Sequence, residues 1–154
     1  MILINLAYTV ALTAAFDSLS LIIKGSLFAT ILTIAGYIDI KTKTIPDYIH
    51  VLIILVGLIN INLVQSLIGL VIVPLPFFIM ACIKENSIGG GDIKLMGACG
   101  FFLGVTGGIV GSVVGLVVAI IINVLYCRIK RKKEDTGFAL APYLGAGSCI
   151  IYFV

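Results

Sequence analysis

Two aspartates stand out in this chain because each lies at the edge of an apolar stretch. Asp39 closes the apolar run Tyr37–Ile40, and Asp92 follows the three consecutive glycines Gly89–Gly91. Two carboxyl groups that lie close together share a proton, so that one serves as a base and the other as an acid. Such a pair can hydrolyse an amide: the base takes a proton from water, and the acid protonates the carbonyl oxygen.

The ends of the predicted helices suggest a role for each acid. Asp92 opens a helix, where the positive end of the helix dipole favours a charged carboxylate, and Asp39 closes one, where the neutral form is favoured. We therefore expect Asp92 to be mainly ionised and Asp39 mainly protonated in the resting site. The glycines before Asp92 permit a peptide backbone to approach its carboxylate closely.

The residues alone leave other functions open. An acid pair in a membrane chain also suits a proton relay or a cation site in a small transporter, and a catalytically silent membrane scaffold is a third possibility. An internal inverted repeat is typical of transporters, but the two acid segments differ in type. The four cysteines contain no C-x-x-C pair, so we expect no metal site and no disulfide framework.

The composition predicts a membrane protein. Hydrophobic residues make up 61% of the chain and charged residues 11%, with a mean hydropathy of +1.27, whereas soluble domains carry about 25% charged residues. We expect an all-α polytopic membrane bundle of six or seven transmembrane helices, with residues 1–154 forming a single integral-membrane domain. The net charge of +3 is concentrated in a few short segments, which determines topology and gives no indication of nucleic-acid binding.

Apolar runs and their breaks predict seven helices. Pro74 and Pro76 are expected to kink the fourth, and Val105–Gly108 to separate the fifth from the sixth. The predicted helices are Ile2–Phe16, Gly25–Ile40, Tyr48–Asn62, Val64–Ile83, Ile93–Gly104, Ile109–Cys127 and Pro142–Val154.

The basic residues predict the orientation in the membrane. With seven helices, nine of the ten Lys and Arg residues fall on one face, and Lys24 alone lies opposite. Basic loops stay in the cytoplasm, so Asp39, Asp92 and the charged loop 128–135 are expected at the cytoplasmic face of the cell membrane.

Three motifs resemble those of one protease family. Gly89-Gly90-Gly91-Asp92 matches the GxGD motif of membrane aspartyl proteases, and the segment from Asp39 to Pro46-Asp47 resembles the first-aspartate motif of prepilin peptidases. The stretch Phe138–Tyr143 is similar to the proline-rich segment before the family's last helix, although its first proline is absent. The chain thus resembles the type IV prepilin peptidases and preflagellin peptidases.

The resemblance implies an aspartic endopeptidase that removes the short basic leader from pilin-like or preflagellin-like precursors at the cytoplasmic side of the bilayer. It assigns catalysis to Asp39 and Asp92 and implies no metal or cofactor. Larger members carry a cysteine-rich N-terminal domain and often methylate the mature pilin; this chain resembles the compact form, so methylation is not expected. Supporting motif residues are Gly89, Gly91, Lys94, Pro46 and Asp47, and acids that could meet a basic leader are Glu85 and Asp47.

Overall fold

The computed structural model describes residues 2–16, 18–84, 88–130 and 139–153. Within these ranges the chain forms seven α-helices and no strand, so the predicted all-α class is confirmed. The helices are α1 (Ile2–Ala15), α2 (Leu19–Thr42), α3 (Asp47–Gly57), α4 (Leu63–Ile72), α5 (Leu75–Ile83), α6 (Gly90–Lys130) and α7 (Ala141–Tyr152).

The helices have the lengths and surfaces of a membrane bundle. Among the described residues, three stretches are long and apolar enough to cross a bilayer: Leu19–Thr42, Leu63–Ile83 and Gly90–Leu125. Large apolar side chains face outward, such as Val64 and Ile120, which are 67% and 61% exposed. An outward apolar surface of this kind suits lipid. The crossing number of six or seven stays a prediction.

Two of the predicted helix boundaries near the site shift. The helix α2 is longer than predicted at both ends, so that Asp39 lies in its last turn. It ends at Lys43, whose left-handed backbone (φ 56°) directs its N–H to the carbonyl oxygen of Asp39, a common helix C-cap. The helix α3 begins at Asp47, directly after Pro46, because a proline is favourable where a helix starts.

The predicted proline kink is present between α4 and α5, where Val73 and Pro74 interrupt the helix. Pro76 causes no second break because it lies in the first turn of α5, where its missing N–H leaves no hydrogen bond unmade. The two helices together therefore form the predicted kinked fourth segment.

The chain reverses direction within α6 at Gly104, not at the predicted break Val105–Gly108. Gly104 has φ 75° and ψ −177°, a conformation that glycine adopts without strain. A Cβ atom on Gly108 would lie 3.0 Å from the Cα atom of Gly100, although residues eight apart in a straight helix are about 12 Å apart along its axis. The first arm of α6 therefore leads away from the end of the bundle that carries Asp92, and the second arm returns toward that end.

Small residues allow the two arms of α6 to pack closely on their neighbours. A Cβ atom on Gly97, in the first arm, would lie 3.4 Å from the Leu70 carbonyl oxygen of α4. A Cβ atom on Gly111, in the second arm, would lie 3.2 Å from Ser148 Cα of α7. Glycine permits such approaches in lipid-embedded helices. The buried core between the arms and α2 includes the stacked rings of Phe28 and Phe102, whose centroids are 3.8 Å apart.

Candidate active site

The structure brings Asp39 and Asp92 into one cavity. The cavity has a volume of about 230 Å³, and both side chains are buried, with 5% and 8% of their surface exposed. Their carboxyl groups are close enough for the charge of one to act on the other. The cavity lies where the end of α2 meets the start of α6, and its lining residues are Asp39, Lys43, Thr44, Ile45, Gly89, Gly90, Gly91 and Asp92.

Asp39 is held by the first residue of α7. The backbone N–H of Ala141 donates a buried hydrogen bond of 3.1 Å to Asp39 Oδ2. The first N–H groups of a helix have no partner within the helix, and the positive end of its dipole stabilises a negative charge. The stretch that resembles the family's proline-rich segment thus supplies a donor to Asp39, although its Phe138 lies outside the described residues.

Asp92 lies in the first turn of α6, where the backbone of Gly89 hydrogen-bonds to its carboxyl group. Its backbone N–H donates to the Gly89 carbonyl oxygen at 3.0 Å, but its buried Oδ1 atom accepts no hydrogen bond from the residues that the structure describes. An ionised carboxyl group with one buried oxygen that lacks a donor is costly. The hydrogen bonds therefore favour a charged Asp39 and a protonated Asp92, which is the reverse of the roles expected from the helix ends.

The three glycines before Asp92 differ in their surroundings. A Cβ atom on Gly89 would lie 3.2 Å from Asp92 Oδ2, and one on Gly91 would lie 3.2 Å from Ile45 Cβ. A Cβ atom on Gly90 would meet nothing within 4 Å. A methyl group added at the first or third glycine would therefore displace its neighbour slightly, whereas the second glycine faces open space.

Lys94 and Asp47, both predicted as supporting residues, form an ion pair that joins α6 to α3. Lys94 Nζ lies 2.7 Å from Asp47 Oδ1, and the side chains are 59% and 75% exposed. The hydrogen bond and the charge of Lys94 lower the pKa of Asp47 from its usual 3.8. Pro46, another predicted supporting residue, precedes α3 in an extended conformation, with the buried Ile45 before it reaching Gly91.

His50 contributes to the site and was missed in the sequence. Its Nε2 atom lies 3.1 Å from the Gly91 carbonyl oxygen, and its Nδ1 atom lies 3.7 Å from Asp47 Oδ1. A signal was available, because residues three apart share a helix face and His50 follows Asp47 by three. It is also the single histidine of the chain.

The remaining predicted positions add little to the site. Glu85 lies outside the described residues, as does most of the loop 128–135, of which Arg128 to Lys130 continue α6. Among the residues that the structure describes, no cluster of three His, Cys, Asp or Glu side chains could hold a metal ion. Lys43, which was not among the predicted site residues, lines the cavity with both acids.

Comparison with known proteins identifies the family. Neither a curated protein nor a solved structure gives a significant match to the chain. The sequence pattern of the type IV leader peptidase family matches residues 26–127, a range that contains both aspartates, the glycines, His50 and Lys94. The match covers more than half of the chain, and the protein therefore belongs to the type IV leader peptidase family of proteases.

Proposed function

We propose that this protein is a membrane aspartic endopeptidase that removes the short basic leader from type IV pilin-like or preflagellin-like precursors at the cytoplasmic face. The observation that carries the proposal is the pair of buried aspartates in one cavity beside a glycine loop. Family membership supports the leader peptidase activity, and the acid pair supplies a chemistry for it.

The reaction follows from the hydrogen bonds of the two acids. Asp39, as the carboxylate stabilised by Ala141 N–H, takes a proton from a water molecule, and the resulting hydroxide adds to the scissile carbonyl carbon. Asp92 gives its proton to the carbonyl oxygen. The tetrahedral intermediate then collapses: the hydroxyl proton on the carbonyl oxygen returns to Asp92, the C–N bond breaks, and Asp39 protonates the amine.

The glycine loop offers a place for the substrate backbone. Gly89 and Gly90 are exposed, and Gly90 faces open space on the cavity side. An extended peptide can therefore lie against this loop with its carbonyl between the acids. A basic leader needs acidic partners, for which Asp47 and Glu85 are the proposed candidates.

The test is co-expression of the protein with a pilin-like precursor whose leader removal is followed by gel shift and by mass spectrometry of the new N-terminus. We expect Asp39→Asn and Asp92→Asn each to abolish cleavage while the protein still inserts in the membrane. Asp17→Asn is the matched control, because the sequence predicts that acid at the opposite face. Cleavage retained by either site variant would remove that acid from the mechanism.

The cytoplasmic placement of the cavity has its own test. Thr44 lies at the cavity, whereas Asn60 lies in the turn after α3, at the far end of that helix. In a cysteine-free background, a membrane-impermeant maleimide added to intact cells should label Asn60→Cys and spare Thr44→Cys. Labelling of inside-out vesicles should give the opposite result. The reverse pattern would place the acids outside the cell.

A further inference from the structure

His50 makes a buried contact with the segment that carries Asp92. The side chain is 6% exposed, and its Nε2 atom lies 3.1 Å from the Gly91 carbonyl oxygen. A carbonyl oxygen only accepts hydrogen bonds, so Nε2 carries the proton. In the neutral ring Nδ1 is then unprotonated, and it has no hydrogen-bond partner among the described residues.

The contact acts on the peptide group that joins Gly91 to Asp92. A carbonyl oxygen has two lone pairs, so the Gly91 oxygen can accept from His50 as well as within α6. Asp92 itself has a buried Oδ1 atom without a partner. The orientation of the Asp92 side chain therefore depends on the backbone before it, and His50 of α3 holds that backbone from outside α6.

Two neighbouring contacts join the same segments. Lys94 pairs with Asp47 at 2.7 Å, and Ile45 packs on Gly91, where an added Cβ would lie 3.2 Å away. The three contacts surround the start of α6, but the His50 bond alone reaches a polar atom of the glycine loop. From this geometry we infer that His50 is a positioning residue, whose Nε2–H fixes the peptide before Asp92 and so orients its carboxyl group toward Asp39. The inference rests on the proposed peptidase function.

The hydrogen bond is expected in both protonation states of the ring. Among the described residues, the charged groups that face His50 are Asp47 from α3 and Lys94 from α6, one attracting and the other repelling a charged imidazole. Because Nε2 carries a proton whether the ring is neutral or charged, the contact with Gly91 persists. The contact made by His50 therefore affects the cleavage rate at every pH, and protonation of its ring adds no inflection to the pH–rate profile.

Two neutral substitutions separate this role from simple filling of space. Glutamine places its amide nitrogen near the position of Nε2, and asparagine places its nitrogen near that of Nδ1. His50→Gln should keep kcat within a few fold, whereas His50→Asn should lower kcat by roughly 10- to 100-fold, as expected for a misplaced catalytic group. The KM for the precursor should stay unchanged in both variants. Equal kcat values for the two, or a change confined to KM, would overturn the inference.

A second measurement does not depend on cleavage. In detergent-solubilised wild-type protein at alkaline pH, where the imidazole is neutral, ¹⁵N NMR of the ring should report a protonated Nε2 and an unprotonated Nδ1. Exchange of the Asp92 amide, which donates to Gly89 O, should be faster in His50→Asn and unchanged in His50→Gln. The opposite tautomer, or equal exchange in both variants, would refute the positioning role even if the protein cleaves no precursor. Failure of the wild type to cleave would instead refute the proposed function.

Discussion

The glycine loop allows a sharp test, because adjacent glycines differ in the room available for a methyl group. A Cβ atom on Gly91 would lie 3.2 Å from Ile45 Cβ and 3.4 Å from the backbone nitrogen of Ile45. A Cβ atom on Gly90 would meet nothing within 4 Å. Both glycines lie in the first turn of α6 with helical backbones, so Gly91→Ala and Gly90→Ala differ mainly in this contact.

The size of the effect can be worked out from the contact distances. Carbon atoms pack at about 3.5–4.0 Å, so the added methyl group of Gly91→Ala must move by roughly 0.5 Å away from Ile45. The next residue is Asp92, whose carboxyl group moves with the backbone. Because a displacement of about 1 Å costs about 100-fold in rate, we expect a decrease in kcat of roughly tenfold. Gly90→Ala should keep the wild-type kcat, because its methyl group enters only the space proposed for the substrate backbone and can therefore raise only the KM. It should also gain up to about 1 kcal/mol of stability from the better helix propensity of alanine.

The assay is the time course of precursor cleavage in detergent, with each enzyme at the same concentration and its thermal unfolding measured in parallel. A tenfold loss confined to Gly91→Ala, with both variants folded, would support the contact with Ile45. Equal losses in both variants would show that the loop needs glycine for its flexibility and not for space. An unchanged rate in Gly91→Ala would refute the claim that the position of Asp92 limits catalysis.

Two further predictions concern packing and charge. Gly69→Ala should prevent stable folding, because its Cβ would overlap the carbonyl group of Gly100, at 2.9 Å from the carbon, and a backbone would have to shift. Gly97→Ala, with its nearest neighbour at 3.4 Å, should unfold near the wild-type temperature in the same detergent melt. The ion pair between Asp47 and Lys94 should stabilise the protein at neutral pH, because it lowers the pKa of Asp47 below 3.8. That contribution is present above the pKa of Asp47 in the unfolded chain and disappears as the pH falls through its pKa in the folded protein. The Tm difference between wild type and Asp47→Asn should therefore vanish in strong acid. A Tm difference that stays constant with pH would contradict a stabilising ion pair.

The fold class and the residues of the candidate site were predictable because local sequence marks them. A chain this apolar and with so few charges is expected to lie in lipid, where every backbone polar group must find a partner within the protein. An α-helix supplies those partners within a single segment. The acids were visible as charges at the edges of apolar runs, and the glycines marked Asp92. The structure brings Asp39 and Asp92 together as expected.

The helix boundaries were less predictable because they depend on tertiary contacts. The predicted break at Val105–Gly108 rested on two glycines in a row, but the chain turns at the single Gly104. Gly107 and Gly108 are instead helical, and a Cβ atom on Gly108 would lie 2.6 Å from a side-chain atom of Val73. A glycine that terminates a helix and a glycine that permits close packing look alike in sequence, since only the neighbouring helix distinguishes them.

The roles of the two acids illustrate the same limit at the site itself. The expected assignment used the helix on which each acid lies, so Asp39, at the end of α2, was expected to be neutral. The structure adds a second helix, because the N-terminus of α7 reaches Asp39 from 102 residues away along the chain. A hydrogen bond to a charged group contributes about 1.5–3 kcal/mol, whereas a helix end contributes up to about 2 kcal/mol in a partly buried geometry. The N-terminus of α7 supplies Asp39 with both, through an N–H at 3.1 Å, and so outweighs the C-terminal end of α2. In the proposed mechanism, the start of α7 thus selects Asp39 as the base, which gives a physical reason for the similarity of this stretch to the family's proline-rich segment.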